Sequence, residues 1–288
     1  MLRNVSESGR RPSASREVRR RRTVVAAGVF VVLALVAILS GFTAAQQPSG
    51  AAPPPTTAAS PPATPSPTAT TRPSPIETPE PAIVPSFDKT AHSIDDPNSI
   101  WLVVNKTRPL NPENFEPADL VDVPIPHTWN PRLRQGASDA VIALFAAASA
   151  EAGLTLASNS AYRSYDSQVG VYNQDVMANG QAFADTSTAR PGTSEHQTGL
   201  AIDIGAASGN CSLSTCFGDT AEGQWLAANA WRFGFLLRYP ADKTDITGYS
   251  FEPWHYRYIG VELSTELHDT GVSTLEEFFD LPAAPNYG

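Results

Sequence analysis

The chain has 288 residues and a formal net charge of −9, with 17% of residues charged. That length admits two domains, but the composition is so uneven that only the C-terminal two-thirds is built to fold. Residues 88–288 carry 11 basic and 25 acidic side chains, a net of −14, which argues against nucleic acid as a partner because counterion-release binding needs a basic face.

Residues 1–22 hold eight arginines against two glutamates and lead into an uncharged, apolar run, 23–45. Its 23 residues match the roughly 20 of a transmembrane helix and exceed the roughly 7–15 of a signal-peptide core. The basic flank predicts a cytoplasmic tail (1–22), a transmembrane signal-anchor (23–45) and an extracytoplasmic remainder. Small residues at Thr43, Ala44 and Ala45 leave open a cleaved, secreted form. Residues 46–87 form a Pro/Thr/Ala-rich linker with 13 of the 26 prolines and few large apolar side chains, so a disordered, semi-rigid spacer is expected there.

In the 88–288 domain, Ser138–Ala152 reads as a helix with Val141, Leu144, Phe145 and Ala148 on its buried face and Gly153 past its end. Leu154–Ser160 alternates as a strand. A second helix runs from near Asp166 to Met177, stopped by Asn179 and Gly180. A turn at Arg190–Thr193 leads to Ser194, leaving His196 in a loop. In the next strand Leu200, Ile202 and Ile204 face the core, so Asp203 and the small Ala201 face a cleft. Gln224–Phe233 reads as a helix capped by Gly234, and Phe235–Tyr239 and Trp254–Ile259 read as strands. Pro253 lacks an amide proton, which places Glu252 where the chain enters the last strand. Ser273 and Glu276 offer a capping box for a final short helix.

Two stretches carry chemistry: Ser194–Asp203 and Glu252–Tyr258. His196, Asp203 and His255 supply two imidazoles and a carboxylate, a set that suits Zn²⁺ and leaves a fourth position open. Glu252, three residues before a ligand, is the natural general base. A structural zinc site would more often close its shell with four protein ligands. Either histidine alone would be read as a surface or core residue, and Glu252 alone as a solvated carboxylate. His92, His127 and His268 lie outside both stretches. Cys211 and Cys216, with four residues between them, pair as a disulfide outside the cell, the weaker alternative being a metal role that two sulfurs cannot complete.

Taken with Val104-Asn105-Lys106, Pro117-Ala118-Asp119-Leu120 and Tyr162-Arg163-Ser164-Tyr165-Asp166-Ser167-Gln168, these stretches resemble, in the same order, the VanY-like D-alanyl-D-alanine carboxypeptidases, zinc peptidases of the bacterial cell wall. The resemblance covers most of residues 100–280. It implies an α+β fold with a small antiparallel sheet and flanking helices around a zinc cleft. It also implies one Zn²⁺ held by His196, Asp203 and His255, Glu252 as base, and peptidoglycan stem peptides as substrate. Arg163 would stabilise the oxyanion or hold a substrate carboxylate, the alternative being a pair with an acid such as Asp166. Gln168, Ser194 and Trp254 are candidate peptide contacts, against local turn bonding for the first two and packing for Trp254. The expected activity is release of the terminal D-Ala by a monomeric ectodomain. The alternatives are L,D-carboxypeptidase action on tetrapeptide stems, a non-catalytic zinc-containing wall-binding module, and a redox protein using the cysteine pair.

Overall fold

Four short strands form the antiparallel sheet that organises the domain: β3 (Leu156–Ser160), β4 (Ala201–Ala206), β5 (Phe235–Leu237) and β6 (His255–Tyr258), in the order β3-β4-β6-β5. They belong to a computed structural model that describes residues 87–288. The basic tail, the apolar run 23–45 and all but the last residue of the linker lie outside the described residues. Among the described residues no helix is long and apolar enough to cross a membrane. A separate two-stranded ribbon, β1 (Leu120–Asp122) with β2 (Arg132–Arg134), precedes the sheet.

Among the described residues seven α-helices flank these strands: α1 (Gln135–Ala152), α2 (Tyr165–Asn179), α3 (Gln181–Ser187), α4 (Ala221–Asn229), α5 (Thr244–Thr247), α6 (Val261–Thr270) and α7 (Leu275–Phe278). One sheet face is apolar because Leu200, Ile202 and Ile204 recur at period two, and they are buried with Tyr256 and Phe235. The stripe Ala137, Val141, Leu144, Phe145 and Ala148 of α1 belongs to the same core. Gly153 ends α1 at φ +67°, where its N–H reaches the carbonyls of Ala148 and Ser149. A second core joins Trp101 and Val103 to Ile259, Leu263, Leu267 and Phe278, so residues around 101–103 lock against the C-terminal helices.

Where structure and sequence reading part, local chemistry explains the difference. Helix α1 starts at Gln135, three residues before the predicted Ser138, running straight on from β2. Gly180 does stop α2, at φ +86°, but α3 begins at the next residue, so the glycine is a corner between two helices. The final cap is shifted by one residue: Thr274 Oγ1 accepts the Glu277 N–H and bonds the Glu277 carboxylate at 2.8 Å, freeing Glu276 to turn inward. The β1–β2 ribbon, α3 and α5 are too short for periodicity to mark them, whereas α6 is a ten-residue helix whose Leu263 and Leu267 stand at helical spacing, a signal the sequence reading passed over.

Candidate active site

The second sheet face carries the polar residues, and register brings them together. Asp203 of β4 is the direct cross-strand partner of His255 of β6, and on its other side pairs with Ser160 of β3. Cross-strand partners share a face, so carboxylate and imidazole point the same way. Two residues along the same face, Ala201 stands opposite Arg257, and the small side chain leaves room for the buried guanidinium.

His196 reaches the same point from a 3-10 turn, Glu195–Thr198, just before β4. The turn is tied by Thr198 Oγ1 donating to the Glu195 carbonyl at 2.6 Å and by Gln197 Nε2 donating to the carbonyls of Glu113 and Phe115. It closes on Gly199 at φ +66°, where a Cβ would lie 2.7 Å from Leu120 Cδ2, so any side chain there is strained.

His196, Asp203 and His255 are each at least 94% buried, and one donor atom from each lies within 4.8 Å of the others. Their partners fix which atoms face inward. His196 Nδ1 is 2.7 Å from the Ala161 carbonyl, so it carries the proton and Nε2 is left toward Asp203 Oδ2 at 3.3 Å. His255 Nε2 faces Glu195 Oε2 at 3.3 Å, leaving Nδ1 toward Asp203 Oδ1 at 3.2 Å. Asp203 Oδ1 is buried yet lacks a hydrogen bond of good geometry. Two imidazoles whose other ring nitrogens are engaged outside the cluster, together with an under-satisfied carboxylate oxygen, are a fitting donor set for a metal ion.

Glu252 lies beside this cluster, its Oε2 3.7 Å from His255 Nδ1. The chain reaches it through a bend before β6, with the Glu252 N–H bonded to the Tyr239 carbonyl. Burial pushes its carboxyl up to about 8, the Asp203 charge adding to the rise and His255 opposing it. Burial lowers His196, whereas for His255 the carboxylates of Asp203 and Glu195 overcome burial and raise it to about 9. Asp203 is held well below the usual carboxylate range because its two histidines outweigh its burial.

Arg163 donates to Gln168 Oε1 and Ser160 Oγ, each at 3.0 Å, and pairs with no carboxylate among the described residues, Asp166 included. Gln168 is fully buried and its Nε2 donates to the Ala189 carbonyl at 2.7 Å, so both ends of its amide are engaged within the protein. Ser194 and Trp254 line the same cleft, a cavity of about 280 Å³ that also contains Arg163, Glu252 and the three clustered ligand candidates. Cys211 and Cys216 are joined in a disulfide. The remaining histidines are elsewhere: His92 against Trp101, His127 on the Ile125 carbonyl, His268 stacked on Trp231.

A charge network that no local motif announces lies beneath the cluster. Glu195 Oε1 accepts from Arg238 Nε and Arg257 Nη1, both at 2.9 Å, and Arg238 forks onto Glu276, which also takes Asn105 Nδ2 at 2.9 Å. All five side chains are essentially removed from water. The two arginines hold Glu195 far below the ordinary carboxylate range despite its burial. The available signal was a single arginine interrupting each of two otherwise apolar or aromatic strands, Phe235–Tyr239 and Trp254–Ile259.

A family model described as VanY, D-alanyl-D-alanine carboxypeptidase, matches residues 130–261. YodJ of Bacillus subtilis is 42% identical over 193 residues, 65% of this chain and 70% of the relative. The solved LdcB LD-carboxypeptidase is 42% identical, with TM-score 0.59, across 64% of this chain and 87% of its own. A zinc-bound VanY D,D-pentapeptidase from a VanB-type vancomycin-resistance cassette is 35% identical, with TM-score 0.52, across 63% of this chain and 99% of its own.

Proposed function

The chain belongs to the VanY-type D-alanyl-D-alanine carboxypeptidase family, enzymes that hydrolyse peptides, and from that premise we propose a zinc-dependent D,D-carboxypeptidase that removes the terminal D-Ala from peptidoglycan stem peptides. The observation that carries this reading is the largely buried Glu252 carboxylate set beside three convergent donors that line the same cavity. His196 Nε2, Asp203 and His255 Nδ1 would hold one Zn²⁺, which when bound supplies Lewis acidity and lowers the pKa of water toward about 7.

The chain's own residues do the rest. Glu252, as the ionised carboxylate, takes the proton from the attacking water and returns it to the leaving amine, a task its position beside the donor cluster allows. Arg163, fixed by Gln168 and Ser160, presents its charge either to the developing oxyanion or to the substrate's terminal carboxylate. Gln168 acts mainly by holding Arg163, since substrate contact would cost it an existing bond. Ser194 and Trp254 border the bound peptide.

The arginine-rich tail and the apolar run 23–45 support a membrane-anchored protein with its catalytic domain outside the cell, or a secreted one if the run is cleaved. The ectodomain acts as a monomer. A second reading, L,D-carboxypeptidase action on tetrapeptide stems, is favoured by the higher identity to LdcB than to the VanY pentapeptidase. The intact Glu252 stands against a merely wall-binding module. Release of amino acid from purified pentapeptide and tetrapeptide muropeptides, with chelator, zinc add-back and Glu252→Ala controls, tests all three. D-Ala from pentapeptide alone supports the D,D reading, release only from tetrapeptide replaces it with L,D, and no release by zinc-loaded protein overturns both.

A further inference from the structure

The cleft has an internal gradient. Its inner end is polar and charged, with Arg163, Asp203 and Glu252 close together, whereas its rim carries Val171 of α2 and Leu213, respectively 38% and 50% exposed. An exposed apolar side chain alone is ordinary. Here two, from unrelated segments, line the cavity that holds the reacting groups.

Leu213 is moreover held there by construction. It adopts φ +50°, and Cys211 φ +54°, a left-handed conformation that non-glycine residues rarely adopt. Cys211 packs against the main core, Phe217 is wholly buried, and the disulfide joins Cys211 to Cys216. Both feet of the loop are therefore anchored while its tip projects to the cleft. An unfavourable backbone at an exposed apolar residue, stabilised by a cross-link and aimed at a reaction site, points to a role in binding.

We propose that Leu213 is a specificity-determining contact for the acyl side of the substrate, favouring peptides with a long aliphatic side chain within the two residues preceding the scissile bond. The inference rests on the peptidase reading above. An exopeptidase must admit the chain end to the buried, charged part of its cleft, so the rest of the peptide leaves past the exposed rim. The apolar rim offers nothing to glycine and buries part of a long alkyl side chain.

The test uses the full-length, zinc-loaded protein and two matched peptide pairs, ending in norleucine-D-Ala-D-Ala or norleucine-D-Ala, each with its glycine counterpart. Wild type is expected to favour norleucine over glycine. Leu213→Ala is expected to lose about tenfold in kcat/KM on the norleucine peptides through KM, with the glycine peptides unchanged and Leu213→Met restoring the preference. An equal loss on both members of a pair, or no loss, overturns the proposal. Calorimetric binding of the same peptides to Glu252→Ala and to Glu252→Ala combined with Leu213→Ala reads the contact without turnover. Failure of wild type to hydrolyse any peptide therefore counts against the peptidase reading, while a norleucine preference unaffected by Leu213→Ala counts against this proposal alone.

Discussion

Glu195 Oε2 stands 3.3 Å from His255 Nε2, although the two residues lie sixty positions apart and Glu195 is the immediate neighbour of His196. One short turn therefore supplies a ligand candidate directly and orients another through a carboxylate. An imidazole with its Nε2–H engaged presents Nδ1 as a lone-pair donor, which is the orientation a metal ligand needs. Arg238 and Arg257 hold the other Glu195 oxygen, so the carboxylate is fixed from behind.

Replacing Glu195→Gln is expected to weaken zinc binding about 10- to 100-fold. Two buried arginines would also lose their shared anion, and breaking such pairs typically costs about 3–5 kcal/mol. Competition with a chromophoric chelator and urea unfolding measure the two effects separately.

Glu252→Gln removes the proton acceptor but none of the three proposed ligands. Turnover on the best muropeptide is expected to fall at least about 10²- to 10⁴-fold, while metal content by elemental analysis stays at one zinc per chain.

Arg163→Lys keeps the charge but loses the planar fork that engages Gln168 and Ser160 together. A loss in kcat/KM of about 10² is expected. A fall in kcat would place the guanidinium at the oxyanion, and a rise in KM alone would place it on the substrate carboxylate.

Gly199→Ala forces a Cβ to within 2.7 Å of Leu120 Cδ2 at a residue with φ +66°. The expected destabilisation is about 1–3 kcal/mol, read as a lower melting temperature. Weaker zinc binding should accompany it, because the displaced turn carries His196.

Acid sensitivity follows from Glu276. Burial raises its pKa, but Arg238 and Asn105 outweigh that and hold it below the ordinary carboxylate value. A depressed native pKa contributes stability that is present above the unfolded value, about 4.3, and is lost as pH falls through the native one. Urea midpoints between pH 7 and 2 should therefore drop below about pH 4. Glu276→Gln should flatten that limb while lowering stability at pH 7 by about 3 kcal/mol.

The parts of this arrangement visible in the sequence were those written at short period. Alternation in Leu200–Ile204 placed Asp203 opposite the core face, and Gly153 marked the end of α1, while Gly234 closes the 3-10 turn Ala230–Phe233 that follows α4. The proline before Trp254 marked the bend that holds Glu252. Glu195 was hidden because a glutamate in a polar turn looks solvated until strands from two other regions deliver arginines to it. Arg238 and Arg257 were hidden for the same reason, since alternation assigns a face but cannot say whether water or another chain segment covers it. For Gln168 the sequence leaves peptide contact and local turn bonding both open, and only tertiary structure reveals that Arg163 and Ala189 occupy both ends of its amide.

Asp203 and His255 are opposite rungs of one ladder, and that pairing frees the roughly fifty residues between them from any duty to set the distance between carboxylate and imidazole. The intervening excursion, with its cross-linked loop, α4 and β5, can gain or lose residues at its tips while the two donors keep their spacing. A slip of one rung between β4 and β6 is the change the centre could not absorb, because it would send one donor to the opposite face of the sheet. The domain thus separates a part that must not vary, the ladder, from a part free to diversify around the mouth of the cleft, so new peptide preferences could arise without rebuilding the chemistry beneath.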